Sequence, residues 1–410
     1  MKHLLISLIT LLLTTTAAAE NRTYKPEVKS LQAVVNQDWL SPAVMRLKGN
    51  DVLHIGFDEL SHDYHRYVYR LEHCEADWTT SEELFETDWL EGFNTHNVID
   101  TYERSINTTV PYTHYWFQIP NDRCRLKLSG NYRLHIAEDG DDEDIATVEF
   151  MVTEQSMSLA MGVSTNTDID TNKSHQQVRF GLQYGNHLVT SPEDQIQTVV
   201  MQNARKDTWR KNVRPSYISQ NGLEWQHKKE LIFDGGNEYR KFEILDPSHP
   251  TLGIEHTSWD GTNYQAQPYI SEPRPNYIYD EDANGAFYIR NSDNLENDIA
   301  SDYVLVNYRL KVPQLLNGRI LIDGQWTTER PEMYLMNYDE AQGLYTASIL
   351  QKLGYYSYQY LWLKDDGTTH PLPSEGNFYE TENRYQILVY FKGTGERTWR
   401  LTAYGQIVMN

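Results

Sequence analysis

Residues 303–313 read Tyr-Val-Leu-Val-Asn-Tyr-Arg-Leu-Lys-Val-Pro. Val304, Val306, Tyr308, Leu310 and Val312 fall on one side of an extended chain, and Asn307, Arg309 and Lys311 fall on the other. A strand turns successive side chains to opposite faces, so this two-residue period marks a strand with one face in a core. Pro313, which has no N–H for a ladder, closes the run. The pattern recurs along the chain. It appears in Tyr132, Leu134 and Ile136, in Val148, Phe150 and Val152, and in Val178, Phe180, Leu182 and Tyr184. It returns in Tyr385, Ile387, Val389 and Phe391, and in Trp399 and Leu401. The chain holds 29 Tyr, 10 Trp and 11 Phe, residues that suit a pleated surface. Short runs ending at Gly, Asn, Asp or Pro predict an all-β protein of tandem immunoglobulin-like antiparallel β-sandwich domains. Only one short helix is expected, around 81–90.

Punctuation predicts the domains. A first sandwich is expected over 20–153. A β-rich middle block with long loops follows over 154–300, broken by Pro247, Pro250, Pro268, Pro273 and Pro275. The polar, acidic stretch 292–302 reads as a linker. A C-terminal sandwich is expected over 301–410, with hairpin turns at Asp323-Gly324 and Asp366-Gly367.

Residues 1–19 set the compartment. Lys2 and His3 precede an apolar run over 4–13 interrupted by Ser7 and Thr10, then Ala17-Ala18-Ala19 and Glu20. This is the order of a secretory signal peptide, and the run is about half the ~20 residues a membrane span needs. No later stretch is long and apolar enough for a membrane helix, so no membrane insertion is expected. The formal charge of −22 argues against nucleic acid as a partner, because phosphate contacts need Lys and Arg. The two cysteines, Cys74 and Cys124, can pair or stay free in an oxidising compartment, and they are too few for a disulfide scaffold.

No catalytic signature, cofactor motif or metal-ligand set stands out. A Gly-x-Ser-x-Gly elbow and a His-Glu-x-x-His motif are both missing from the sequence. His62 and His65 stand three apart, on opposite faces of an extended chain, and read as loop residues. The acids from Glu138 to Asp144 around Gly140 read as a solvated hairpin tip. Asn166, Asp168, Asp170 and Asn172 alternate like the start of a calcium loop, but its Gly and closing Glu are missing. Arg205, Lys206, Arg210, Lys211 and Arg214 around Trp209 read as a solvated basic hairpin.

With no active site in view, the ordered motifs carry the most information. Tyr69-Arg-Leu-Glu-His-Cys-Glu-Ala-Asp-Trp78 is followed by Leu90-Glu-Gly-Phe93, Ser105-Ile-Asn-Thr108, Tyr112-Thr-His-Tyr115, Pro120-Asn121 and Ser129-Gly-Asn-Tyr132. Gln202-Asn203, Gly235-Gly-Asn-Glu-Tyr-Arg240 and Asp282-Ala-Asn-Gly285 continue the series, and Asp302-Tyr303-Val304 opens the last block. In this order the set resembles the type IX secretion system plug protein family over nearly the whole mature chain. The resemblance singles out Cys74, Asp77, Trp78, Gly92, Phe93, Asn107, Tyr112, His114, Tyr115, Asn121, Gly130, Asn131 and Tyr132. It also singles out Asn203, Gly236, Asn237, Glu238, Arg240, Asn284 and Gly285. It supplies no catalytic residue. Trp78, Phe93 and Tyr115 are expected in the core.

The resemblance implies a non-enzymatic periplasmic protein, associated with the outer membrane, that binds the giant β-barrel translocon of type IX secretion. It would plug that channel when no substrate is engaged. In the Pro- and Tyr-rich stretch 268–279, Tyr269, Ile270, Tyr277 and Tyr279 are expected as partner contacts. A competing reading comes from Arg319-Ile-Leu-Ile-Asp-Gly-Gln-Trp326 and Leu353-Gly-Tyr-Tyr-Ser-Tyr-Gln-Tyr360, which resemble early-set immunoglobulin-like domains, some of which bind α-glucans. Under it, Trp326, Tyr356 and Trp362 would stack on sugar rings. The alternation of Tyr356, Tyr358, Tyr360 and Trp362 instead points that strand face into a core. Mass spectrometry of exported protein is expected to find an N-terminus at or near Glu20; one at Met1 would refute the signal peptide.

Overall fold

A computed structural model describes residues 21–409 apart from 316 and 329. The expected signal peptide lies outside the described residues. The regular structure is almost all strand, paired mostly antiparallel, as the alternation predicts. Helix is confined to single turns, of which Glu86–Trp89 falls inside the expected 81–90.

The first unit is a sandwich. One sheet orders the strands Arg22–Thr23, Asp144–Thr153, Gly130–Glu138, Tyr67–Cys74 and Asn97–Ile99, with Val44–Arg46 added in parallel beside Asp144–Thr153. The other orders Val28–Val35, Leu53–Glu59, Thr113–Ile119 and Tyr102–Arg104. Phe57, Tyr115, Tyr132, Leu134 and Phe150 fill the space between them. Phe57 stacks on Tyr115 at 5.3 Å, and Tyr132 stacks on Phe150 at 5.4 Å.

The second unit crosses the expected boundaries. One sheet contains Ser158–Ser164, His175–Gln183, Gly222–Trp225 and Tyr217–Ile218, with Ile232–Asp234 against His175–Gln183. The facing sheet orders Arg210–Lys211, Ile196–Gln202, Arg384–Phe391 and Arg400–Val408. The expected C-terminal sandwich over 301–410 therefore loses its last two strands to the middle unit. The reason is register. Val200 opposes Ile387 and Ile196 opposes Phe391, and their apolar faces close one core with Phe180, Leu182 and Trp225. Local composition does not encode that pairing.

The third unit occupies the interval between those halves. Its strand order is Arg240–Ile244, Gly354–Leu363, Arg319–Asp323, Leu335–Asp339, Leu344–Lys352, Tyr303–Leu310, Tyr264–Pro268 and Ile254–Trp259. Leu335–Asp339 pairs with Arg319–Asp323 through its first two residues and with Leu344–Lys352 through its last three. One strand thus passes the order from one layer to the other. The layers enclose Phe242, Tyr308, Ile320, Trp326, Tyr356, Tyr358 and Tyr360. Residues 240–300, expected in the middle block, belong here, and the acidic stretch 292–302 is no linker. It forms the turn Asn297–Ala300 and leads straight into Tyr303–Leu310.

Truncation after Asn383 is expected to leave the second unit unfolded, because Val199, Val200 and Met201 lose the strand that covers them. Limited proteolysis should then cut within 158–234 at protease levels the full chain resists. Full protection of that region would refute this pairing.

Candidate functional site

The residues singled out by sequence do not converge on a pocket. Many of them gather where the three units meet, and the others shape the first unit.

Between the first and third units, Asp58 on Leu53–Glu59 is fully buried. Lys352 at the end of Leu344–Lys352 is 1% exposed. The Lys352 ammonium donates to Asp58 Oδ2 at 2.6 Å and to the Asp298 carbonyl at 2.5 Å, and it sits 4.2 Å over the Tyr112 ring. Tyr303 donates its hydroxyl to Asp58 Oδ2 at 2.7 Å, and His114 Nδ1 lies 2.7 Å from Asp58 Oδ1. Tyr112 donates to the carbonyls of Asp298 and Ser301 at 3.1 and 2.8 Å. Burial pushes the Asp58 carboxyl up, but the Lys352 charge and the His114 hydrogen bond outweigh it and hold it below its ordinary 3.8. Asp302 adds hydrogen bonds from the backbone N–H groups of Thr109 and Val110.

Between the first and second units, Asn131 donates to the Glu75 carbonyl and accepts from the Tyr390 hydroxyl at 2.8 Å. Lys206 donates to the buried Glu149 carboxylate at 2.8 Å and covers the rings of Trp78 and Trp209. Arg205 lies 3.7 Å from Asp323 of the third unit. The basic cluster is therefore not a solvated hairpin as a whole. Only Lys211 and Arg214 face water, while Arg205 and Lys206 fasten units together.

Two chain segments cross between the second and third units, and both are tied. Arg240 holds Glu375 in a two-pronged pair at 2.9 and 3.0 Å, and Arg274 donates to the same carboxylate at 2.6 Å. Asn237 donates to the Glu375 carbonyl, and the Gly236 N–H donates to Asn377. Glu238 accepts from the Tyr277 hydroxyl at 2.6 Å, and burial raises its carboxyl above the ordinary value. Asn203 binds Asn383 at 2.8 Å at the start of the returning strand. Gly285 donates its N–H to the Ser357 hydroxyl just after Asn284 turns the chain through a positive φ.

The remaining singled-out residues shape the first unit. Asp77 accepts from Thr79 in a turn that carries Trp78 through φ +72°. Gly92, at φ +119°, brings its backbone so close to the Arg123 carbonyl that a Cβ would lie 1.9 Å from it. Asn121 donates to the Tyr69 hydroxyl at 2.8 Å, and Tyr132 donates to the Leu128 carbonyl at 2.6 Å. Gly130 adopts φ +145° against His73. Asn107 is an exposed turn residue. Trp78 and Tyr115 are buried, but Phe93 is 69% exposed, because it stands just past the short strand Leu90–Gly92 that pairs with Cys124–Leu126. Cys74 and Cys124 are both free and buried, and burial pushes each thiol up to about 12.

Of the expected contact residues, Tyr269, Ile270 and Tyr279 are exposed, whereas Tyr277 is half-buried against Phe378 and committed to Glu238. The sugar-stacking set fails as a surface: Trp326 and Tyr356 are buried and pack against each other at 5.2 Å. Asp168 and Asp170 accept from Gln177, His227 and His175. Among the described residues no group of three or more His, Cys, Asp or Glu is placed to hold a metal ion.

Asp58, Glu375 and Lys352 were missed in the sequence. Lys352 carries a faint signal, since a lysine interrupts the apolar run between Ile349 and Tyr356, but only the fold shows its partner.

Residues 28–154 match the family model described as the type 9 secretion system plug protein 1st domain. A crystal structure of a hypothetical protein from Parabacteroides merdae is similar at 33% identity. The match covers 95% of this chain and 99% of that one, with a TM-score of 0.92. Alpha-2-macroglobulin from E. coli matches at 12% identity over 94% of this chain and 22% of its own, with a TM-score of 0.18. Comparison with curated proteins finds no match.

Lys352→Met is expected to lower stability by about 3–5 kcal/mol at neutral pH, because it leaves the Asp58 carboxylate buried without its cation. The contribution of Asp58 in the unaltered protein is fully present above pH 3.8 and is lost as pH falls through its lower folded value. The gap between variant and parent should therefore narrow on acidification. Urea unfolding midpoints at several pH values test this; a gap that widens toward acid would refute the pairing.

Proposed function

This chain belongs to the type IX secretion system plug protein family, and from that premise we propose that it is a non-enzymatic periplasmic plug. It seats on the giant outer-membrane β-barrel translocon and closes the channel when no substrate is engaged. The observation that carries this reading is the match of the family's first domain to 28–154, in a chain whose units are bolted together by buried polar joints. A wide barrel leaks unless a body too stiff to be drawn through lies across its mouth. Obstruction needs no reacting group. It needs rigidity and one complementary face, with release when substrate competes for that face.

The contact face lies on the third unit. Tyr269 is 62% exposed, Ile278 77% and Tyr279 56%. The Tyr269 N–H donates to the Gly253 carbonyl, next to the exposed Leu252 in the chain. Exposed apolar groups concentrated in one region mark partner surfaces, and aromatic anchors dominate their energetics. Arg274 and Tyr277 anchor the segment from beneath, so the face is presented by a fixed scaffold.

The triple substitution Tyr269→Ser, Ile278→Ser and Tyr279→Ser is expected to reduce recovery of a very large β-barrel protein from outer membranes at least about tenfold in a pull-down. Recovery equal to the parent would sink this face. Failure of the unaltered chain to recover any such barrel would sink the plug reading itself.

A further inference from the structure

A cleft of about 560 Å³ opens between the first and third units, and none of Tyr269, Ile278 and Tyr279 lines it. Its floor is the outward face of the sheet built from Val28–Val35, Leu53–Glu59, Thr113–Ile119 and Tyr102–Arg104, represented by Gln32, His54, Trp116 and Glu103. Gly56 opposes Trp116 in register, so nothing stands up beside the indole on that strand. Trp116 lies flat on His114, with ring centres 5.5 Å apart and planes 22° apart. The opposite wall is supplied by Trp39 and Tyr288, whose rings are 5.5 Å apart, and by the turn Asn297–Ala300.

The charge is one-sided. Glu103, Glu296 and Asp298 line the cleft, and no Lys or Arg does. The Asp298 carboxylate lies 4.0 Å from the His114 ring and is 65% exposed. Glu103 and Glu296 carry no ion pair among the described residues. The buried carboxylates Glu149, Glu375 and Asp58, in contrast, are each met by an internal cation. An indole face attracts a cation through its quadrupole, and carboxylates around a partly enclosed cleft add to that attraction.

We infer that this cleft binds the cationic side chains of an extended polypeptide segment from a partner protein. The dimensions favour a peptide over a lone cation. Four strands at about 4.8 Å spacing carry the floor across roughly 14 Å. That is the length of about four extended residues, enough for two side chains on one face to reach the floor together. The inference does not rest on the plug reading, since it concerns different residues and a separate ligand.

The test uses the full mature chain and a fluorescein-labelled peptide, Gly-Arg-Gly-Arg-Gly-Arg-Gly, followed by fluorescence anisotropy. Saturable one-to-one binding is expected. Replacing each arginine of the probe by citrulline, which keeps the shape and removes the charge, should weaken binding at least about tenfold. Because the whole chain is acidic, diffuse attraction must be separated from the cleft. Trp116→Ala leaves the net charge untouched and is expected to weaken binding about tenfold, as is the pair Glu103→Gln with Glu296→Gln. Circular dichroism and melting of each variant establish that it is folded, and the citrulline comparison needs no variant. Equal affinity for the citrulline peptide, or undiminished affinity in folded Trp116→Ala, would overturn the inference. So would saturable binding of a glycan panel by a chain that ignores the arginine peptide.

Discussion

An ammonium and a carboxylate sealed together away from water tolerate almost no relative movement. Lys352 and Asp58 come from different units and meet at 2.6 Å with both side chains essentially unexposed. Separating them would leave two uncompensated charges in an apolar interior, at a cost far greater than that of breaking a surface pair. The same physics holds at Lys206 with Glu149 and at Arg240 and Arg274 with Glu375. Well-packed apolar contacts would hold three sandwiches together too, but they are non-directional and permit sliding. Buried ion pairs with fixed donors specify one relative placement. The joints therefore fix one relative placement of the three units, and a fourth apolar cluster with Ala76, Val199, Met201, Leu388, Tyr390 and Leu401 fills the seam between the first and second.

The connectivity reinforces this. The third unit begins near Arg240 and ends near Glu375, so the chain leaves the second unit and returns to it at one place. Closing a loop of that length is entropically expensive, and the expense grows only slowly with its length. Once closed, the two crossing segments brace each other through Glu375, Asn237 and Asn383. A unit held by two crossings cannot swing as one on a single linker can.

Strand identity was legible in the sequence because alternation is a local property. The runs at 132–136, 148–152, 178–183, 303–310 and 385–391 lie in strands with the expected face inward, and Tyr184 and Val312 stay buried just past their strand ends. Strand partnership was not legible. Tyr385, Ile387 and Val389 would suit the outer layer of the third unit as well as the second, and only the matching register with Ile196–Gln202 decides between them. The same limit applied to chemistry. Arg205 and Lys206 look like solvated charges until Asp323 and Glu149, over a hundred and about sixty positions away, are brought to them. Phe93 looks like core until it is seen to stand just past a three-residue strand, out in solvent.

The motif residues explain why a family can be recognisable while its binding face is not. Gly92 and Gly130 are fixed by backbone conformations that a side chain would obstruct. Asn131, Asn203 and Asn237 each satisfy backbone or side-chain groups from a distant segment, where a substitute would leave a buried polar atom unmet. Such positions are constrained by the interior alone, whatever lies outside. The rings of Tyr269 and Tyr279 are exposed and, among the described residues, make no ring contact or side-chain hydrogen bond, so the interior does not fix their identity. A sequence pattern built from interior constraints therefore reports how the body is made rigid. The surface that a rigid body presents has to be read from the fold itself, where exposure, neighbouring charge and support from beneath are visible together.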